Sequence, residues 1–290
     1  MKKLLPILLL AVAGCGVEPS IPQYMQDLPR SEEESLRIIG EIRRELGDAT
    51  RVDQVEEFFF VASNDTEASF RQCNGTVARV FRYLHADYFT KKPEKPIRVY
   101  LFKDRQSYED YCTATYQKPP STPFGFYMSS ERKMVMNIAT GTGTLAHELV
   151  HPLLAEDFPE VPSWFNEGFA SLYEQSRQTG EGRMEGLVNW RLPSLQRALR
   201  SGTAVSLRKL TESSTKEFYG DNTGLNYATA RYLCLYLQEQ GKLVDFYREF
   251  KKSSKDDATG ATALETVTGQ KLPKLEEAWK KWVTTLRYED

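Results

Sequence analysis

Two of the three histidines in this chain stand four residues apart, in His147-Glu148-Leu149-Val150-His151. Side chains four apart in a helix lie on one face, so two imidazoles placed this way can bind one metal ion from the same side. Glu148 follows His147 directly, and its carboxylate can reach a water on that metal without being a ligand. That is the physical content of the H-E-x-x-H pattern, in which the glutamate acts as general base. A catalytic zinc also needs a third protein ligand and one open position. Glu167, in Trp164-Phe165-Asn166-Glu167-Gly168-Phe169-Ala170, is the first candidate. Glu156, Asp157, Glu160 and Glu174 stand as alternatives, because an acidic residue at Glu167 could simply answer a helix dipole. Glu174 lies two turns beyond Glu167 on the same face and reads as a support for the site or a surface group.

Periodicity and capping residues predict the elements that must carry these side chains. A charged amphipathic helix is expected over 31–46, opened by a capping box of Ser31 and Glu34. A strand follows over 55–62, around Phe58-Phe59-Phe60, then a long helix over 66–89 with Gly75 as a weak point. A second strand, Ile97–Phe102, is β-branched and aromatic. A helix then runs over 104–116 with Asp104 as N-cap. A hairpin is expected from 124–128 and 133–138. Beyond it the pattern is helical, over 144–154, 164–175, 189–200, 222–240, 242–252, 261–268 and 273–286. A small mixed sheet with helices, followed by a helical bundle, is an α+β layout. Pro152 removes the N–H that would bond back to the Glu148 carbonyl, which predicts a kink after the metal motif. His85, on the long helix, reads as a half-buried structural histidine.

The string Trp164-Phe165-Asn166-Glu167-Gly168-Phe169-Ala170 resembles the third-ligand motif of the aminopeptidase-N-like gluzincins, zinc metallopeptidases that carry a near-identical string after their H-E-x-x-H. The resemblance implies Zn2+ held by His147, His151 and Glu167, a thermolysin-like catalytic domain, and hydrolysis of a peptide or protein substrate. A further match is Asn226-Tyr227-Ala228-Thr229-Ala230-Arg231-Tyr232-Leu233. In the relatives a tyrosine at the start of such a helix donates to the oxyanion of the tetrahedral intermediate, and the alignment places it at Tyr227. A phenol there would stabilise charge that appears only in the transition state. The plainer alternative is a core or cap residue. Two features depart from the aminopeptidases. Fifteen residues separate His151 from Glu167, fewer than in those relatives. Their Gly-x-Met-x-Asn exopeptidase run is also absent; the strands here read Gly125-Phe126-Tyr127-Met128 and Met134-Val135-Met136-Asn137. The chain therefore looks closer to the compact bacterial gluzincins grouped as peptidase MA-like, over about 125–241. The ending from Thr268-Gly269-Gln270 to Trp282 also suits that group.

The implied mechanism assigns Glu148 to take a proton from the attacking water and pass it to the leaving amine. By analogy, the 124–138 hairpin would offer an edge on which an extended peptide adds as a strand. The rival reading is a zinc-binding envelope lipoprotein that has lost catalysis and binds peptides or proteins.

The first residues read as a targeting segment. Lys2 and Lys3 precede an apolar run over 4–12, and Val12-Ala13-Gly14-Cys15 resembles a bacterial lipobox. Residues 1–14 are then a lipoprotein signal peptide, Cys15 the lipidated residue, and 15–30 a proline-containing tether. Residues 31–290 form a single domain, sheet-containing over about 31–155 and helical over about 156–290. The expected location is the cell envelope, anchored by lipid to the outer membrane or to the outer leaflet of the cytoplasmic membrane. Gly16, with no aspartate at that position, favours the outer membrane by resemblance to lipoprotein sorting. Loss of Lys2 and Lys3 takes the formal net charge of −2 to −4. Neither a basic patch nor an arginine-rich run is present, which gives no support to nucleic acid as a partner. After the leader, no apolar run is long enough to span a bilayer. Cys234 reads as a buried free thiol, while Cys73 and Cys112 form a possible pair in an exported protein.

Overall fold

A computed structural model of the protein describes residues 32–180 and 182–288. The expected signal peptide, lipidated Cys15 and tether, together with Ser31, lie outside the described residues. Helix α1 (Glu32–Leu46) is followed by strands β1 (Arg51–Val55) and β2 (Phe59–Ser63), helix α2 (Glu67–Asp87), strand β3 (Ile97–Phe102) and helix α3 (Arg105–Tyr116). The hairpin of β4 (Gly125–Met128) and β5 (Lys133–Asn137) leads through a short 3-10 turn into α4 (Thr142–Asp157) and α5 (Ser163–Leu172). A small hairpin follows, β6 (Ser176–Gln178) and β7 (Met184–Gly186). The rest is helical: α6 (Leu192–Ser201), α7 (Leu207–Thr211), α8 (Thr215–Phe218), α9 (Thr223–Glu239), α10 (Leu243–Ser253), α11 (Ala261–Thr268) and α12 (Leu272–Thr285).

The main sheet has the order β1-β2-β3-β5-β4. The β2–β3 and β3–β5 pairs are parallel, and the outer pairs β1–β2 and β4–β5 are antiparallel. Its side chains alternate between two cores, as the period of two requires. Phe59, Val61, Ile97, Val99, Leu101, Met134 and Met136 face one core, with α2 and α4. Phe60, Ala62, Tyr100, Phe102 and Val135 face the other, with α1 and α3. Burial on both faces explains the apolar runs Phe59-Phe60-Val61-Ala62 in β2 and Val99-Tyr100-Leu101-Phe102 in β3. The architecture is therefore mixed α/β, a mixed sheet between helical layers followed by packed helices. Among the described residues no helix is long and apolar enough to cross a membrane.

Local signals held at several boundaries. Thr66 caps α2 by accepting from the Ser69 N–H, and Asp104 caps α3 by accepting from that of Ser107. Three expectations need correction. The single strand over 55–62 is a hairpin instead, because the turn at Glu56, with φ 48°, separates β1 from β2. The small β6–β7 hairpin and the short helices α7 and α8 were not anticipated, since none is long enough to show a period. Cys73 and Cys112 are not bridged: both are free and buried. Cys73 sits in the core under α2 and Cys112 in the core under α3, on opposite faces of the sheet. A disulfide needs its two α-carbons within about 7 Å, which side chains pointing into separate cores do not provide.

Candidate metal centre

Helix α4 buries Leu145, Leu149, Val150 and Leu153 in the large core. His147 and His151 then share a different face, and their rings meet edge to face at 4.9 Å. The helix runs on past Pro152, where a kink was expected, and ends at Asp157. Pro152 deprives the Glu148 carbonyl of its partner, but Leu153 and Leu154 are fully packed and hold the last turn in place. Helix α5 brings Glu167 opposite the histidines. Its Phe165 and Phe169 pack against Phe246, Tyr247 and Phe250 of α10. Each fully buried ring of this kind contributes about 1.5–3 kcal/mol, so α5 is firmly seated. Gly168 lets α9 cross closely: a Cβ there would lie 2.8 Å from the Ala230 backbone. That approach brings Tyr227 of α9 to the same site.

The nitrogen Nε2 of His147 lies 3.2 Å from Glu167 Oε2, and that of His151 lies 3.9 Å from the same oxygen. One ligand atom from each of the three residues falls within 4.8 Å of the others. Ligands about 2.0–2.1 Å from a tetrahedral zinc stand about 3.3 Å apart, so modest closure satisfies that geometry. Glu167 Oε2 is buried and accepts no aligned hydrogen bond within the described chain. Two converging imidazole nitrogens and a carboxylate oxygen left open toward them are what a metal site requires. This buried group could bind a metal ion.

The electrostatics favour a cation at this point. Burial opposes charge on His147, yet the Glu167 and Glu174 carboxylates outweigh it and push its pKa up to about 10. Burial likewise opposes ionisation of Glu167, but His151, His147 and Tyr219 hold its carboxyl well below the usual range. For Glu174, His147 and Arg191 overcome burial and hold the value at about 2. Glu148 behaves differently: burial raises it, and His151 and His147 only partly offset the rise. A carboxylate with a raised pKa beside such a centre is suited to taking and returning a proton.

Both histidines are braced from behind. His151 Nδ1 lies 3.0 Å from Asn166 Oδ1. His147 Nδ1 lies 3.3 Å from Glu174 Oε1, close but not aligned as a hydrogen bond. Arg191 fixes that glutamate with two bonds, Nη2 to Oε1 at 2.8 Å and Nε to Oε2 at 3.2 Å, and Asn189 adds a third. Such partners would set which ring nitrogen faces a metal bound here. Gly143 makes the arrangement possible, since a Cβ there would meet the Glu174 carbonyl at 2.2 Å.

Tyr227 lies near the centre as the alignment implied, its ring stacked 6.5 Å from that of His147. The Arg191 guanidinium covers the Tyr227 ring at 5.2 Å. Tyr219 was not anticipated. Its hydroxyl donates to Glu167 Oε1 at 2.5 Å. Burial and then the Glu167 carboxylate push both phenols above the ordinary tyrosine range, so both stay protonated and able to donate. With fifteen tyrosines in the chain and no period around Tyr219, no local signal singles it out.

The alternative third ligands point elsewhere. Glu156 pairs with Arg132, and Glu160 is exposed in a turn. Asp157 accepts from Thr90, from the Lys91 N–H, from Tyr247 and from Lys251, a structural role at the end of α4. Glu174 supports His147. His85 is buried and structural, its nitrogens 3.0 Å from the Phe81 and Lys91 carbonyls. Cys234 is a buried free thiol, as its setting in α9 suggested. No protein-family model matches the chain, and a comparison with curated proteins returns no match.

Proposed function

We propose that this protein is a zinc metallopeptidase of the gluzincin type, with a thermolysin-like catalytic domain. The observation that carries the reading is the convergence of His147 Nε2 and His151 Nε2 on Glu167 Oε2, with Glu148 adjacent in sequence to His147. Two neutral imidazoles and one carboxylate are a donor set that suits zinc, and three protein ligands leave a position for water. Zinc held there supplies Lewis acidity, which activates water and polarises a scissile carbonyl. Glu148 accepts the proton of the attacking water and delivers it to the leaving amine. Tyr227 donates to the oxyanion that develops on the carbonyl. Strand β4 lies at the sheet edge and packs against α4, which supports its use as the rail for an extended peptide. The lipobox-like Val12-Ala13-Gly14-Cys15 supports export and anchoring of the enzyme to the cell envelope by lipid at Cys15.

The test is metal analysis of the purified protein with cleavage of a broad peptide library. Stoichiometric zinc is expected, with cleavage lost on chelation and restored by zinc. Wild-type protein in the membrane fraction, with no residues left before Cys15, is expected alongside. Zinc-loaded protein that cleaves nothing supports a binding lipoprotein instead, and protein that takes up no zinc removes both readings. Tyr227→Phe keeps the ring and loses the hydroxyl. It should lower kcat by about a hundredfold with KM little changed. Unchanged turnover in the folded variant would assign Tyr227 to packing alone.

A further inference from the structure

The carboxylate of Glu167 is divided between two tasks. Its Oε2 faces the two histidine nitrogens, 3.2 and 3.9 Å away. Its Oε1 accepts the Tyr219 hydroxyl. We propose that Tyr219 is a positioning residue that keeps Glu167 bound to the metal through one oxygen, and so keeps a coordination position open for water. The proposal rests on reading the site as a metal centre and does not require peptide cleavage.

The chemistry is a competition for one oxygen. A carboxylate near a metal can coordinate through one oxygen or both. A phenol O–H donating to Oε1 occupies that oxygen with a charge-assisted hydrogen bond and turns it away from the ion. Remove the hydroxyl, and Oε1 loses its aligned donor and can turn toward the metal. Coordination through both oxygens then adds a further donor beside the water, raising the coordination number and crowding the position that water needs.

The placement of Tyr219 is built into the fold, although its side chain is 46% exposed. Ser214 and Glu217 form a reciprocal capping box that starts α8. The Tyr219 N–H bonds to the Thr215 carbonyl at 3.1 Å. The Asn226 amide on α9 donates to the Phe218 carbonyl at 2.8 Å, and Ser163 at the start of α5 lies 2.9 Å from Thr215 Oγ1. Phe218 is fully buried and its ring touches those of both Tyr219 and Tyr227. The segment that carries Tyr219 is thus tied to α5 and to α9, the helices that bring Glu167 and Tyr227 to the site. Tyr227 also interacts with the Glu167 carboxylate, but of the two phenols it is Tyr219 whose hydroxyl is aligned on Oε1.

Tyr219→Phe tests this with cobalt(II) in place of zinc. Cobalt absorbs strongly in the visible in tetrahedral sites and weakly when the coordination number rises. The full-length variant should bind cobalt as tightly as wild type. Its visible band should fall by roughly half or more as coordination expands. Thermal unfolding of both proteins confirms that the variant is folded, as expected for a side chain at the surface. An unchanged band overturns the proposal. Weaker cobalt binding with an unchanged band also overturns it, since Tyr219 would then only brace the ligand. Wild-type protein that takes up no cobalt overturns the metal-centre reading, and this proposal with it. Absence of peptide cleavage bears on the peptidase reading alone.

Discussion

Glu148→Gln should abolish peptide cleavage while leaving the metal bound. The side chain is half-buried on α4, one residue from a ligand, and reaches no ligand position itself. Glutamine is nearly isosteric and still accepts a hydrogen bond, but it cannot take up a proton at neutral pH. Two steps of the proposed reaction run through this carboxylate, deprotonation of water and protonation of the leaving amine. Loss of a positioned acid–base group costs about 10²–10⁴-fold, and loss of one that serves twice belongs at the upper end. The measurement is cleavage by zinc-loaded wild type and variant side by side, with metal content determined in both. Equal rates would mean that the activity comes from another group or from a contaminant. Loss of zinc together with activity would mean that Glu148 holds the metal, which contradicts the assigned geometry.

Glu167→Ala should remove the metal. A site with three protein ligands has no spare donor, so deleting one is not easily compensated. Zinc affinity is expected to fall by roughly a thousandfold, about 4 kcal/mol. Neighbouring acids supply the comparison. Glu174→Ala removes a brace and not a ligand, and should weaken zinc by about 10–100-fold. Glu156→Ala and Glu160→Ala should leave it unchanged, since one side chain is engaged with Arg132 and the other is exposed. Competition against a chelator of known affinity ranks the four variants. Retention of zinc by Glu167→Ala with its loss in Glu174→Ala would transfer the ligand role to Glu174. The spacing argument permits that outcome, because the two residues share a face.

What could be read from the sequence is what depends on neighbours along the chain. His147 and His151 converge because a helix repeats every 3.6 residues, and that repeat is visible in the spacing alone. Asp104 marks a helix start because a capping side chain bonds within three residues of itself. Strand β3 could be bounded from its β-branched and aromatic run. Glu167 was legible as a candidate because its own helix carries it as one block.

Tertiary structure decided the rest. That Glu167, and not Asp157, Glu156 or Glu160, stands opposite His147 and His151 follows from how α5 packs across α4, which no repeat encodes. Tyr219 reaches Glu167 across fifty-two residues of chain. It does so through the Asn226 amide and the buried Phe218 ring, contacts that leave no periodic trace. Arg191 braces Glu174 and covers Tyr227 for the same reason, from a loop before α6. The separation of Cys73 from Cys112 depends on which face of the sheet each helix covers. A helix pattern shows only that some side must be buried; the partner that buries it is chosen by packing complementarity between elements distant in sequence.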